Sequence, residues 1–167
     1  VISVAWLRMK DDTRGFHSMM AIPAELSLRR TPDGIRLAFQ PVRELDAMRG
    51  EPLFLPRRSD SAEFPLADTP CELLFCCKPN QLLTLTIGDT VLTAENSRLH
   101  IQPVLGQDAV DAHLDVNEPI RVILDRGAIE VFANGGTFWA ALEAEGDLLT
   151  KTISIAGAEG LKVYPLH

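Results

Sequence analysis

No run of apolar residues in the chain approaches the roughly 18 that a membrane-crossing helix requires. Nor is there a large basic cluster: 16 Lys and Arg stand against 23 Asp and Glu, a net charge of −7, with a pI near 5.0. The first lack argues against a membrane span. The second argues against nucleic acid or an anionic lipid surface as partner, because an acidic protein is repelled by phosphate. The pairs Arg29-Arg30 and Arg57-Arg58 are too small for an electrostatic footprint and read as solvated surface. Cysteine is scarce. Cys71, Cys76 and Cys77 are an odd count without zinc spacing, and adjacent residues of a strand point to opposite faces. They read as reduced, mostly buried thiols, which favours the cytoplasm slightly. The first residues, VISVAWLRMK, lack the charged start and small-residue cleavage site of a signal peptide. A chain that begins with Val leaves open a leader, and hence secretion, upstream of it.

The familiar catalytic motifs are missing as well. There is no phosphate loop, no GxSxG and no HExxH. The four histidines, His17, His100, His113 and His167, are scattered. Asp108, Asp111 and Asp115 surround His113 in what reads as a loop, where a calcium ion of the kind that braces many sandwiches is set against the simpler reading of a solvated acidic patch. The expectation is no metal and no cofactor.

What the sequence has is alternation. With 167 residues and 46% hydrophobic content, the chain is long enough for one well-filled core and short for two. The stretch FHSMMAIPAELSLRR, a Thr31-Pro32-Asp33-Gly34 turn and IRLAFQPV predict a hairpin. A helical turn fits only between Arg43 and Gly50, and residues 51–70 read as a long connection with one edge strand. CELLFCCK, QLLTLTI, TVLTA and RLHIQPVL then alternate and are expected to be antiparallel neighbours, followed by TFWAALE, LTKTISI and LKVYPL. About a dozen short strands with turns every 8 to 12 residues predict an all-β fold, a two-layer antiparallel β-sandwich of the lectin-like, concanavalin jelly-roll kind.

The most regular stretch is IRVILDRGAIEVFANGG, residues 120–136. A two-residue turn at Arg126-Gly127, with the glycine at positive φ, sets Asp125 opposite Ala128 and predicts the pairs Leu124/Ile129, Val122/Val131 and Ile120/Ala133 on a core face. Arg121, Ile123, Asp125, Ala128, Glu130 and Phe132 fall on the other face. Asp125 and Glu130 invite comparison with the carboxylate pair of a glycosidase, which must face each other across a sugar-sized gap. Nothing in a hairpin supplies that gap. Asp125, Gly127 and Glu130 are therefore read as structural, Glu130 satisfied by an ion pair or by a contact with a neighbouring element.

This hairpin resembles one near the end of glycoside hydrolase family 32 proteins, the invertases, levanases, inulinases and fructan exohydrolases. There a strand ending in Val-Asp-Arg leads to Val-Glu-Val-Phe and an Asn/Gly turn. A second block, MMAIPAELSLRRTPDGIRLAFQPVREL, is similar to the junction between the catalytic propeller and the sandwich, matching at Met20, Pro23, Glu25, Leu26, Leu28, Gly34, Leu37, Pro41, Val42, Glu44 and Leu45. The chain departs from the pattern at Ala24, where the family has Arg, and at Gly127-Ala128, where it has a Ser-Ser turn. The resemblance implies a C-terminal β-sandwich over residues 16–167. Residues 1–15 would then be a strand and linker from the end of a propeller, with Trp6 where such proteins carry Gly-Trp.

The family's catalytic motifs, Trp-x-Asn-Asp-Pro-Asn-Gly, Arg-Asp-Pro and Glu-Cys, have no counterpart here. The favoured function is a non-catalytic module of a fructan- or sucrose-acting enzyme, partnered by a catalytic propeller. The alternative is a free-standing, lectin-like carbohydrate-binding protein. For sugar contact the candidate is Trp139, facing outward with Thr137 and Glu143, weighed against a tryptophan buried at an interface. The N-terminal strand, with apolar residues and unpaired backbone, is expected to join an edge of its own sandwich or to pair with another copy in a homodimer.

Overall fold

The computed structural model describes residues 1–9, 18–53, 61–66, 68–104 and 106–167; His17 and the Arg57-Arg58 pair lie outside these. The chain opens with two short strands, β1 (Ile2–Ser3) and β2 (Trp6–Leu7), followed by β3 (Met19–Met20), β4 (Ala24–Thr31) and β5 (Gly34–Pro41). β4 and β5 make the expected hairpin, closing at Thr31 opposite Gly34, whose φ of 109° suits glycine. β1 pairs with β4 on the hairpin and β2 with β3 in a separate two-stranded sheet, so the N-terminal segment finds partners within its own chain and not on an edge of either large sheet. Trp6, on β2, is 68% exposed. The helical turn is α1 (Glu44–Ala47).

The sandwich begins at β6 (Ser61–Pro65), the edge strand expected within residues 51–70. It continues through β7 (Cys71–Cys77), β8 (Leu83–Ile87), β9 (Thr90–Glu95), β10 (Arg98–Gln102), β11 (Val110–His113), β12 (Ile120–Asp125), β13 (Ala128–Ala133), β14 (Phe138–Glu143), β15 (Thr152–Ala156) and β16 (Ala158–Pro165). One antiparallel sheet has the order β11-β10-β9-β8-β15-β6 and the other β14-β13-β12-β7-β16. Two expectations change here. β7 is not a neighbour of β8: it crosses to the other sheet and sits between β12 and β16. His113 and Asp111 are on the short edge strand β11, not in a loop, and Asp111 faces His100 (Nδ1 to Oδ1 3.1 Å) across the ladder. Among the described residues no group of His, Cys, Asp and Glu is arranged to hold a metal ion.

Alternate residues of both sheets fill the space between them. On β8, Leu83, Leu85 and Ile87 are buried while Thr84 and Thr86 face outward, the pattern of a sheet wet on one face. β7, β12 and β13 carry buried residues on both faces because both are covered. The outer face of the five-stranded sheet carries a second, smaller core of Leu45, Ile123, Phe132 and Leu166, with Ile22 and Trp139 packed against it. Residues 48–53 run beside β16, bonded through Gly50 N to Pro165 O (2.8 Å) and Leu53 N to Val163 O (2.8 Å).

Candidate functional site

The β12–β13 register is the expected one, Asp125 opposite Ala128 and Leu124 opposite Ile129. The turn differs. Gly127 is not among the glycines of positive φ; it is buried instead. Its carbonyl accepts the Ala144 N–H (2.9 Å), and that of Arg126 accepts Leu148 N–H (2.7 Å), so the loop of residues 144–148 closes over the turn. Residues on the supposed outer face are buried too: Ile123, Ala128, Glu130 and Phe132 are each no more than 3% exposed.

Glu130 is satisfied by a neighbouring element. Its Oε1 accepts the backbone N–H of Ile22 at 2.8 Å and its Oε2 the indole N–H of Trp139 at 3.0 Å. Burial pushes its carboxyl above the ordinary value; the two donors pull against that, and the charge of Asp125 adds to the rise. With both oxygens engaged beneath the segment containing Ile22, Glu130 does not face a sugar-sized gap with Asp125.

A second buried acid lies in the same cross-strand row. Tyr164, Glu72, Ile123, Glu130 and Ala141 are successive partners across β16, β7, β12, β13 and β14, which puts the two carboxylates about 10 Å apart with Ile123 between them. Glu72 is 0% exposed. Its Oε2 accepts from Arg49 Nε (2.5 Å) and its Oε1 from Arg121 Nε. Asp46 closes the ring on the solvent side, 3.0 Å from Arg49 and 3.1 Å from Arg121. The hydrogen bond to Glu72 is the leading cause of a raised Arg49 pKa, and the Arg49 guanidinium lies 4.9 Å from the Tyr164 ring centre. Each acid ties residues 18–53 to the sheet, Glu130 through Ile22 and Glu72 through Arg49.

Trp139 completes this seam. It faces away from the main core, as alternation along β14 predicts, and is half-buried. Its ring stacks on Phe132 at 6.0 Å and 10°, and tilts against Phe39 at 5.4 Å. Thr137 donates its hydroxyl to the Asn134 carbonyl (3.0 Å). Glu143, about 13 Å further along the strand from Trp139, is bonded through its backbone to the Gln107 amide. The three do not converge on one point.

The Asn134-Gly135-Gly136 turn explains how the β4–β5 hairpin comes so close. A Cβ on Gly135 would fall within the guanidinium of Arg29, and one on Gly136 would lie 2.5 Å from the carbonyl oxygen of Phe39. Gln40 adds a bond from its side-chain amide to Gly135 O (2.9 Å). Beside this contact, between the hairpin tip and residues 113–117, a cleft of about 590 Å³ is lined by Arg29, Arg30, Arg36, His113, Asn134 and Thr137, among others.

Sequence reasoning did not single out Glu72, Arg49 or Arg121. The available signal was one acid inside an otherwise apolar strand, CELLFCC, and one Arg inside IRVILD. Buried charges need partners.

No family model matches the chain, and no curated protein matches it by sequence. Solved structures do. A glycoside hydrolase family 32 protein from Bifidobacterium adolescentis is similar with a TM-score of 0.77 at 19% identity, over 99% of this chain and 29% of that one. A sucrose-6-phosphate hydrolase from Lactobacillus gasseri gives 0.76 at 14%, over 99% and 38%. An exo-inulinase from Aspergillus awamori gives 0.75 at 14%, over 99% and 40%. The likeness is one of fold, and the chain spans less than half the length of each of these proteins.

Proposed function

We propose that this chain is the β-sandwich module of a larger glycosidase of the family 32 kind, acting on sucrose or a fructan, and that it carries no catalytic group of its own. The carrying observation is that 99% of the chain superposes on only 29–45% of each such enzyme. Two blocks of sequence resemble the same family independently, while its three catalytic motifs have no counterpart in the chain. The module needs a partner surface, and the hairpin supports one. Leu28 opposite Leu37, with Ile35 beside them, form an exposed apolar face (Leu28 is 75% exposed); Trp6 and Met20, opposite each other on β2 and β3, are exposed as well. A catalytic propeller docked there would cover apolar area that an isolated domain leaves in water.

The test is an assay of the purified chain on sucrose, inulin and levan. No release of fructose or glucose is expected; turnover abolished by Glu130→Gln or Asp125→Asn would overturn the reading. Light scattering supplies the second arm: monomers whose association with an added family 32 catalytic domain is lost in Leu28→Glu/Leu37→Glu fit the module, whereas a dimer lost in the same variant points to self-pairing. The alternative, a free-standing carbohydrate-binding protein, has its support in the polar cleft beside Thr137. Fructan binding lost in Trp139→Ala at unchanged mass would favour it.

A further inference from the structure

The cleft at the hairpin tip contains a charge arrangement that the fold does not require. Arg29 and Arg36 are direct cross-strand partners on β4 and β5, which sets two arginine side chains opposite each other on one face, an unfavourable like-charge pairing unless something negative lies near them. The chain supplies a counter-charge for only one. Glu118 pairs with Arg29, while Arg36 and Arg30 have no ion-pair partner among the described residues. All three arginines line the cleft.

The other charges around it have been accounted for. The Asp115 carboxylate accepts from the backbone and side-chain amides of Asn117 (3.0 and 3.1 Å). Asp33, at the turn, is the remaining free carboxylate, and His113 is on the facing wall. On the face that Arg29 and Arg36 share, the free Arg36 and the Arg29 shared with Glu118 therefore meet one free acid, in a protein whose overall charge is −7, while Arg30, opposite Ile35, belongs to the other face of the hairpin. The walls are also built. Asn134 donates its side-chain N–H to His113 O (2.7 Å) and accepts Asp115 N–H (2.8 Å), pinning the loop opposite the hairpin, and Arg29 is held over Gly135 in the place a side chain would take.

We infer that this cleft binds an oxyanion of the phosphate class, free or as the monoester of a sugar, bridged by the guanidiniums of Arg36 and Arg29. The forked, always-charged donors of arginine suit tetrahedral oxygens, and Glu118 occupies part of Arg29 until the ligand competes with it. The inference does not rest on the catalytic partner proposed above.

The experiment is calorimetric titration of the whole chain with inorganic phosphate, fructose 6-phosphate and fructose at low ionic strength. Saturable 1:1 binding of phosphate is expected, at least tenfold weaker in Arg36→Ala, in line with about 1.4 kcal/mol per factor of ten, and several-fold tighter in Glu118→Gln. Arg36→Ala removes a like-charge neighbour, so its melting temperature should equal or exceed that of the parent. Tighter binding of fructose 6-phosphate than of phosphate, with fructose silent, identifies the sugar ester as the source; equal binding identifies the free ion. The absence of saturable binding, affinity unchanged in Arg36→Ala, or fructose binding as well as its phosphate would overturn the inference.

Discussion

Replacing Glu72 by glutamine keeps the shape of the side chain and removes its charge. In the parent, each oxygen of this fully buried carboxylate takes one arginine Nε; in the variant one of the two guanidiniums meets an N–H donor instead of an acceptor. Removing one member of a buried ion pair costs about 3–5 kcal/mol, because the other charge stays behind without compensation. The two arginine side chains retain 22% and 20% of their exposure and keep Asp46, which argues for the lower end, about 3 kcal/mol. For a domain of this size that corresponds to a fall of roughly 6–12 °C in Tm. Urea and thermal unfolding followed by circular dichroism at pH 7 would read it. Asp46→Asn is the control. Asp46 is nearly half exposed, so its loss should cost no more than about 1 kcal/mol. If Glu72→Gln and Asp46→Asn were equally mild, the guanidiniums would have to be solvated well enough to need no buried acid, and the clamp described above would be wrong.

Glu130 gives a pH signature of opposite sense to most carboxylates. Its folded-state pKa is raised, chiefly by burial, so the folded chain holds a proton that the unfolded chain releases, and stability should fall as pH rises from the ordinary carboxylate value through the raised one. Melting temperatures across that window should show the decline in the parent and lose it in Glu130→Gln; identical profiles would refute the assignment. Gly136→Ala should cost about 2–4 kcal/mol from backbone strain and the clash with Phe39 O, against about 1–2 for Gly34→Ala, where nothing lies within 4 Å of the added methyl; equal losses would mean that the hairpin does not press on that turn. Burial pushes the Cys71 thiol up to about 12 and that of Cys77 to about 11, so a thiol reagent at pH 8 should modify only Cys76 in the native protein, and rapid labelling of a second cysteine would contradict the packing.

The hairpins were legible because alternation and turn residues are local: Gly34 and Gly88 have the left-handed φ that their turns need, and the β12–β13 register follows from the apolar pattern alone. Gly127 shows the limit. Its turn is covered by residues 144–148, and a long-range cover can replace the backbone geometry that an isolated turn prefers. The assignment of strands to sheets was less legible for a similar reason. β7 reads like its sequence neighbours, but the buried Glu72, its second residue, is tolerable only where Arg49 and Arg121, 23 and 49 residues away, converge on it. Trp139 faces outward from the main core as alternation requires, yet the ring that packs against it there, Phe39, and Ile22, which packs on the same small core, come from the far end of the chain. Alternation tells which face a residue occupies and not which element arrives there.

Gly157 is where the chain passes from one sheet to the other. β15 ends at Ala156 and β16 begins at Ala158; the single residue between them has a φ of 76°, and a Cβ there would collide with the carbonyl of Leu82. On one side of this step β15 fills the slot between β8 and β6, and on the other β16 pairs with β7 along the edge of the second sheet. Each of these pairings joins segments more than 60 residues apart in sequence. Neither layer is complete until the final stretch has arrived, so a ribosome making this protein must release nearly all of residues 1–167 before the sandwich can close. Until then the open slot beside β8 and the unpaired edge of β7 are exposed to other chains, and the conformational search is dominated by distant contacts, which makes folding slow and chaperone-dependent handling advantageous.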